Sequence, residues 1–116
     1  MPSTTTYRQG DVVLVSFPFT DLTSAKRRPA LVISPDSLNQ LNQDLILLAI
    51  TSQVTGEEQG LVLEESDFLE GKLPKRSVIK LTKIFTIHST LVVKKFCRIK
   101  PEKVAGVLGR IRKFFS

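Results

Sequence analysis

Short apolar runs separated by polar turns dominate the first half of the chain. Residues 11–17 and 45–50 are rich in Val, Leu and Ile, as is typical of strands that are covered on both faces. The second of these runs also fits a buried helix, because short apolar runs do not distinguish the two. Residues 28–34 have the same character, and residues 60–63 form a shorter apolar run. The pattern therefore predicts four strands in this half.

Two short helical turns are predicted between these runs. Ser34 is a good N-cap residue, and Pro35 suits the first helical position, so a short helix should extend to about Gln40. Ser66 similarly predicts the cap of a single turn that ends at Gly71.

The second half begins with a long alternating segment at residues 77–87, followed by a weaker strand at residues 92–99. The alternation predicts one apolar face that also contains Lys83: Ile79, Leu81, Phe85 and Ile87. Lys80, Thr82 and Thr86 are predicted on the other face. An ammonium group within an apolar row is costly unless it reaches solvent or opens onto a cleft. Lys83 is therefore a candidate for a binding site.

From Pro101 the apolar period becomes helical, and the predicted helix should cover one side of the sheet. Its apolar stripe comprises Val104, Val107, Leu108, Ile111, Phe114 and Phe115. The preceding strands lie too close together in sequence for crossover helices, so the sheet should be mostly antiparallel. The predicted fold class is mainly β with a C-terminal helix, as a small curled sheet or partly open barrel in one domain over residues 1–116.

Charge is distributed unevenly along the chain. The net charge of +6 combines −6 over residues 1–71 with +12 over residues 72–116. A half that is this basic suits phosphate backbones or an acidic protein tail, although it also fits a solvated basic surface. Cys97 is the single cysteine, which excludes an internal disulfide, and no Cys/His cluster predicts a metal site. Because no segment resembles a signal peptide or a membrane span, we expect a soluble, cytoplasmic protein.

A basic cluster leads directly into one of the predicted strands. It comprises Lys26, Arg27 and Arg28, followed by Pro29. The proline pushes the backbone of Arg28 toward an extended conformation, and its missing amide proton favours the start or edge of a strand. A guanidinium group is thereby fixed at the mouth of a strand, either for function or as scaffold.

The remaining chemistry suits a phosphate-bearing ligand. The chain has no nucleophile elbow, P-loop or dinucleotide-binding glycine pattern. Polar and cationic residues lie near predicted strand ends instead: Arg28, Thr51, Ser52, Gln53 and Lys83. His88, the one histidine, follows a strand, where it fits either a general base or a capping residue.

Four sequence blocks in order resemble the MazF/PemK toxin family. They are Gly-Asp-Val-Val-Leu-Val at 10–15, Arg-Pro-Ala-Leu-Val-Ile-Ser at 28–34, Ala-Ile-Thr-Ser at 49–52, and the segment that starts Ser-Val-Ile at 77 and ends Phe-Thr-Ile at 87. The resemblance implies an SH3-like β-barrel with a C-terminal helix, a homodimer, and metal-independent, cofactor-free, sequence-selective cleavage of single-stranded RNA. It also implies an antitoxin whose acidic, partly disordered tail occupies the RNA groove.

The resemblance also assigns roles to individual residues. The catalytic arginine of the family corresponds to Arg28, and its catalytic threonine corresponds to Thr51. From the residues themselves, the expected RNA contacts are Lys26, Arg27, Ser52, Gln53, Lys80 and Lys83, and the alternatives for proton transfer are Asp21 and His88. Cleavage should leave a 2′,3′-cyclic phosphate and a 5′-hydroxyl. Relatives commonly carry Gln or Asp near the position of Lys83 and Asp at that of His88, so the recognised RNA sequence stays open.

Two other functions remain alternatives. One is a non-enzymatic, gyrase-binding toxin like CcdB, for which the resemblance implies a tryptophan in the C-terminal tail. This chain has no tryptophan and ends Lys113-Phe114-Phe115-Ser116, which argues against that alternative. The other is a degenerate family member that binds RNA or antitoxin without cutting.

Overall fold

The computed structural model describes residues 6–17, 26–41, 43–52 and 60–116. Within these ranges, seven strands form one sheet in the order β4-β6-β3-β2-β1-β7-β5. The strands are β1 (Asp11–Phe17), β2 (Lys26–Val32), β3 (Asp44–Thr51), β4 (Gly60–Leu63), β5 (Phe68–Glu70), β6 (Ser77–His88) and β7 (Val92–Ile99). Every strand pair in the sheet is antiparallel, as predicted. The helices are α1 (Asp36–Leu41) and α2 (Pro101–Phe114), so the predicted mainly-β fold with a C-terminal helix is confirmed.

The acidic segment around Ser66 differs from its prediction. The helical turn spans Glu65–Asp67, and its N-cap is Glu64 rather than Ser66. The side chain of Asp67 closes this turn by accepting a hydrogen bond of 2.7 Å from the Glu64 amide. The residues that follow form β5, a three-residue strand paired with β7 that the sequence pattern did not predict. Three residues are too few for alternation to be recognised.

Apolar side chains pack into two cores, on opposite faces of the sheet. Neighbouring residues of one strand belong to different cores: Val12 to the main core, and Val13 to the second. The main core lies beneath α2 and comprises Val12, Leu31, Leu48, Ile50, Leu63, Leu73, Ile79, Leu81, Cys97, Ile99, Val104 and Val107. The second core comprises Val13, Val15, Ala30, Val32, Leu45, Leu47 and Ile87. Burial on both faces explains why β1 and β3 read as continuous apolar runs rather than as alternating patterns.

Strand β6 does not keep one apolar face, and this part of the prediction was wrong. Its register with β3 pairs Leu48 with Ile84, but it pairs Ile50 with Ile79. One residue of β3 therefore faces four residues of β6, and the three extra residues form a bulge. An odd number of extra residues turns the following side chains to the other face. Ile79 and Leu81 accordingly pack in the main core, whereas Phe85 and Ile87 pack in the second.

Helix α2 begins with Pro101 at its first turn, where the missing amide proton costs no hydrogen bond. Val104 and Val107 are buried on the main core, and Leu108 and Ile111 pack at its margin, as the stripe predicted. The predicted stripe is too long, because Phe114 and Phe115 are 43% and 76% exposed. In the described part of the chain, neither helix combines the length and the apolar character that a membrane crossing needs.

Candidate functional site at the open end of strands β2 and β3

Pro29 ends the pairing between β2 and β3. The backbone amide of Ile33 donates a 2.9 Å hydrogen bond across to Ile46 of β3, so alternate residues of this segment direct their amides to β3. Pro29 shares that direction but has no amide proton. The β2–β3 pairs accordingly run from Val32 to Ala30 and stop there. Beyond Ala30, β2 and β3 do not pair with each other, and residues of both strands border a cleft.

A cleft of about 480 Å³ lies at these strand ends. It brings together four of the predicted site residues: two from β2, Arg27 and Arg28, and two from the end of β3, Thr51 and Ser52. The other lining residues come from β2, β3, β6, β7 and the segment before β6: Pro29, Ile50, Leu73, Pro74, Lys75, Ser77 and Phe96.

Strand register relates the two predicted catalytic residues to each other. Ala30 of β2 pairs directly with Ala49 of β3. Arg28 precedes Ala30 by two residues and Thr51 follows Ala49 by two, so both lie on the same face of adjacent strands. Arg28 is exposed and Thr51 is half-buried. The Arg28 guanidinium and the Thr51 hydroxyl therefore both border the cleft.

The cleft is electropositive. Three of the described residues that line it are cations, namely Arg27, Arg28 and Lys75, and none of the described lining residues is acidic. Like charges this close repel each other in the absence of an anion, so the arrangement favours a bound phosphate. The Ser77 hydroxyl donates a 2.9 Å hydrogen bond to the backbone carbonyl of Lys75, which ties the loop carrying this cation to the start of β6.

Among the cleft residues that sequence reasoning missed, Lys75 and Phe96 bear most directly on ligand binding. Lys75 belongs to a basic segment just after Gly71, and that composition was a usable signal for a binding loop. Phe96 had no such signal, because it lies within the weakest predicted strand and reaches the cleft only through sheet pairing.

Within one chain, His88 lies far from this cleft. It pairs with Asp44 at the opposite end of β3 from Thr51, a separation of roughly 23 Å at the usual rise per strand residue. Its Nδ1 accepts a 3.2 Å hydrogen bond from the Thr90 amide, at the start of a helical turn over Ser89–Leu91. Of the two roles left open for His88, the structure shows the capping one.

The remaining predicted residues lie outside the cleft or outside the described residues. Lys80 and Lys83 belong to the β6 bulge and do not line the cleft; Lys80 is half-buried and Lys83 is exposed. Asp21 and Gln53 fall outside the described residues, as does the side chain of Lys26, whose backbone is part of β2.

The one buried carboxylate of the described chain, Asp11, has a structural role. One of its oxygens lies 2.8 Å from the Arg98 guanidinium and 3.4 Å from the Lys95 ammonium. The other oxygen accepts a 2.9 Å hydrogen bond from the Arg8 amide. These contacts join β1 to β7 and neutralise the charge. Among the described residues, no three His, Cys, Asp or Glu side chains lie close enough together to hold a metal ion.

Solved structures of MazF toxins share this fold. A MazE–MazF structure from Deinococcus radiodurans has a TM-score of 0.79 at 19% identity, over 97% of both chains. An endoribonuclease from a Mycobacterial species, in complex with its cognate antitoxin, has a TM-score of 0.74 at 13% identity over 92% of both chains. The Mycobacterium tuberculosis toxin MazF-mt6 has a TM-score of 0.71 at 14% identity, over 90% of this chain and 95% of that one. At these identities the likeness shows the fold.

The sequence gives the family. No curated protein sequence matches the chain. Residues 8–115 match the family model of PemK-like, MazF-like toxins of type II toxin–antitoxin systems. This match confirms the resemblance inferred from the four sequence blocks. The chain therefore belongs to the PemK-like, MazF-like family of type II toxins.

Proposed function

We propose that this toxin is an endoribonuclease that cleaves single-stranded RNA at selected sequences without a metal ion or cofactor. The observation that carries the proposal is the cleft at the ends of β2 and β3, which joins Arg28 and Thr51 within an electropositive rim. Relatives of the same fold are described as endoribonucleases, which supports the assignment.

The proposed reaction uses a nucleophile that RNA itself supplies. The 2′-hydroxyl oxygen attacks the adjacent phosphorus in line, its proton departs, and the bond from phosphorus to the 5′-oxygen breaks. The leaving 5′-oxygen takes up a proton. The products are a 2′,3′-cyclic phosphate and a 5′-hydroxyl. The protein then has to fix the in-line geometry and stabilise the charge that develops on the phosphate oxygens.

Arg28 and Thr51 divide this work in the proposal. The planar guanidinium of Arg28 donates two hydrogen bonds to the nonbridging phosphate oxygens, where negative charge increases. The hydroxyl of Thr51 fixes the phosphate or the 2′-hydroxyl beside it. Arg27 and Ser52 contact the same nucleotide from the opposite face of the strand ends, with Lys26 and Gln53 next to them in sequence. Lys80 and Lys83 contact flanking phosphates from the β6 bulge.

The register of β6 on β3 bears on one of the two candidates for proton transfer. His88 lies at the far end of β3 from Thr51, so within one chain it does not reach the reacting phosphate. Asp21 lies in the segment between β1 and β2, five residues before Lys26 in sequence. Asp21 therefore stays the candidate within one chain for taking the proton of the 2′-hydroxyl.

The proposal includes two protein partners in the cytoplasm. One is a second copy of the chain, because a groove for several nucleotides is readily built across a two-fold axis. The other is a cognate antitoxin with a flexible acidic tail, whose carboxylates complement the cationic rim. Relatives crystallised with their cognate antitoxin support the second partner.

The test is cleavage of a mixed RNA by the purified protein in EDTA, with mapping of the new 5′ ends. We expect cuts at one short recurring sequence, with 5′-hydroxyl ends and cyclic-phosphate partners. A single 2′-deoxy substitution before the cut phosphate should abolish cleavage there and leave other sites intact. Cleavage that requires Mg²⁺, that leaves 5′-phosphates, or that tolerates the 2′-deoxy substitution would contradict the proposed chemistry.

A further inference from the structure

Phe96 owes its place in the cleft to a bulge in β7. Val12 of β1 pairs with Cys97, but the next residue of β1, Val13, pairs with Lys95. Phe96 is therefore the extra residue between two pairs, and such bulges redirect a side chain out of the regular alternation. The ring is half-buried, packs at the margin of the main core, and lines the cleft that contains Arg28 and Thr51.

A second wall of the cleft passes close to this bulge. Gly71 has a φ of +67°, and a Cβ atom there would lie 3.0 Å from the Phe96 carbonyl oxygen. The glycine therefore allows the chain to run tightly past the bulge. The residues after it, Leu73 to Lys75, also line the cleft, with Leu73 buried and Pro74 exposed. The aromatic ring thus borders an apolar slot that has a cation at its rim.

Lys94 places a second cation over the ring, on the face that a base would take, so a stacking base has to displace this ammonium toward a phosphate. Its ammonium nitrogen lies 5.0 Å from the centroid of the Phe96 ring, within the range of a cation–π contact. Proteins that hold single-stranded nucleic acid combine these two elements, because an aromatic ring stacks on a base while neighbouring cations pair with phosphates. Here the two elements lie beside the proposed reaction centre.

We propose that Phe96 is the stacking platform for one unpaired nucleobase next to the cleaved phosphate, and that Lys94 and Lys75 pair with the phosphates flanking that nucleotide. This inference rests on the proposed endoribonuclease function and assigns a nucleobase subsite within the same cleft. Phe96 positions the substrate and takes no part in the bond changes. Stacking tolerates any base, so sequence selection at this nucleotide is left to polar neighbours such as Ser52.

The experiment is a coupling measurement between Phe96 and single bases of the RNA. A short RNA is prepared intact and as a series in which each member has one abasic nucleotide. It contains the mapped cut site or, if the wild type cuts nothing, the sequence that the protein binds best in the mixed RNA. Wild type, Phe96→Leu and Phe96→Trp are compared for cleavage rate and for affinity to the uncleavable 2′-O-methyl version of each RNA. Phe68→Leu is the matched control, because Phe68 also packs at the margin of the main core but does not line the cleft. Thermal unfolding checks each variant.

Phe96→Leu should bind and cleave the intact RNA roughly 5- to 150-fold less well, the range that loss of one stacked base gives. Phe96→Trp should restore most of this loss, and Phe68→Leu should stay near wild type. At one abasic position the deficit of Phe96→Leu should vanish, because the base it stacked on is already absent. A deficit that is equal across all abasic RNAs would overturn the proposal and leave Phe96 a packing residue.

The two proposals fail in different ways. If the wild type does not cut RNA but the 2′-O-methyl RNA still couples to Phe96 at one base, the nucleobase subsite stands and the cleavage assignment falls. If the wild type cuts RNA but no position couples to Phe96, cleavage stands and the subsite falls. A wild type that neither cuts nor binds RNA contradicts both.

Discussion

Single residues at the ends of β2 and β3 determine how the cleft is built. Pro29 withholds a hydrogen bond from β3, so the residues around it border the cleft instead of pairing with β3. Arg28 and Thr51 then lie on one face of rigid strands, a position that limits their motion more than a loop would. Preorganised groups of this kind are effective because no energy is spent on ordering them during the reaction.

Thr51 gives the residue-scale prediction. Thr51→Ala should lower the RNA cleavage rate by about 10²-fold, the usual effect of removing one preorganised hydrogen-bond donor. Thr51→Ser should keep most of the rate, because it retains the hydroxyl. Cleavage is measured at saturating RNA, so that binding does not limit the rate.

Ser52→Ala is the control for Thr51, since Ser52 is the adjacent cleft residue on the opposite face of the same strand end. We expect it to change the rate only several-fold, an effect of about 1 kcal/mol. Equal losses for Thr51→Ala and Ser52→Ala would show that neither hydroxyl has the specific role assigned to Thr51.

At this scale, strand-end residues were the ones that sequence could predict. Thr51 was found because an apolar run marks where β3 ends. Arg28 was found through the proline that follows it, although β2 begins two residues earlier than predicted, at Lys26. The separation of His88 from Thr51 could not be predicted, because it depends on the antiparallel register of β6 on β3. Phe96 reaches the cleft through an equally long-range pairing, combined with a one-residue bulge that leaves no mark in the pattern.

The positions of strands and helices in the chain were predicted more completely than the directions in which their side chains point. The alternating pattern of β6 correctly marked a strand over residues 77–87. It placed Ile79 and Ile87 on one face, however, because the apolar alternation in the sequence continues without a break. The three extra residues of the bulge do not interrupt that alternation, but they turn the side chains that follow to the other face of the sheet. Only the partner strand reveals such a bulge. The missed strand β5 shows the same limit, since its three residues are defined by pairing to β7.

Pro29→Ala tests whether the interrupted ladder creates the cleft. Alanine supplies an amide proton toward β3, so pairing should extend and narrow the cleft. We expect cleavage to fall several-fold while thermal stability stays equal or rises. Pro101→Ala, at the first turn of α2 and outside this cleft, is the control and should leave cleavage unchanged. Full activity of Pro29→Ala, with the added amide shown by hydrogen exchange to be bonded, would contradict this account.

Lys103 gives a prediction for the attachment of α2. Its ammonium lies 3.1 Å from an Asp67 carboxylate oxygen and donates a 3.0 Å hydrogen bond to the Val62 carbonyl. Both side chains of the ion pair are only 19% exposed. Lys103→Ala should lower the free energy of unfolding by about 2 kcal/mol, because a charged group loses its partners in a partly buried site.

Urea unfolding measures this loss. Lys113→Ala, at the exposed end of the same helix, should change stability by less than about 0.5 kcal/mol. If the two variants lose equal stability, the contacts of Lys103 do not fasten the helix to the turn before β5.

In the whole molecule, the basic half of the sequence forms β6, β7 and α2, and the more acidic half contributes β1 to β5. The cleft lies where the two halves meet, with Arg28 and Thr51 from the first and Lys75 and Phe96 from the second. The overall charge asymmetry was readable in the sequence. Its convergence on one cleft depends on the pairing of β3 with β6, which composition does not encode.

A homodimer is the whole-molecule prediction for assembly. Several large apolar side chains of the described chain are substantially exposed in a single copy: Leu41, Leu69, Ile84, Val93, Phe114 and Phe115. Burial of such side chains favours association. Light scattering at micromolar concentration should therefore give twice the mass of the 13.0 kDa chain. A mass that stays at one chain across this range would exclude a stable dimer.

The central claim, that the cleft cleaves RNA through Arg28, is tested most directly by the cleavage rate per folded molecule of Arg28→Ala, with circular dichroism measuring the folded fraction. The exposed side chain packs in neither core, so the fold should persist while the rate falls by at least ~10²-fold. Arg28→Lys should recover only part of the rate, because a point charge lacks the bidentate geometry. Arg112→Ala, on the exposed end of α2, should cleave like wild type. If Arg28→Ala instead loses stability and its folded fraction cuts at the wild-type rate, Arg28 is scaffold and the claim is wrong.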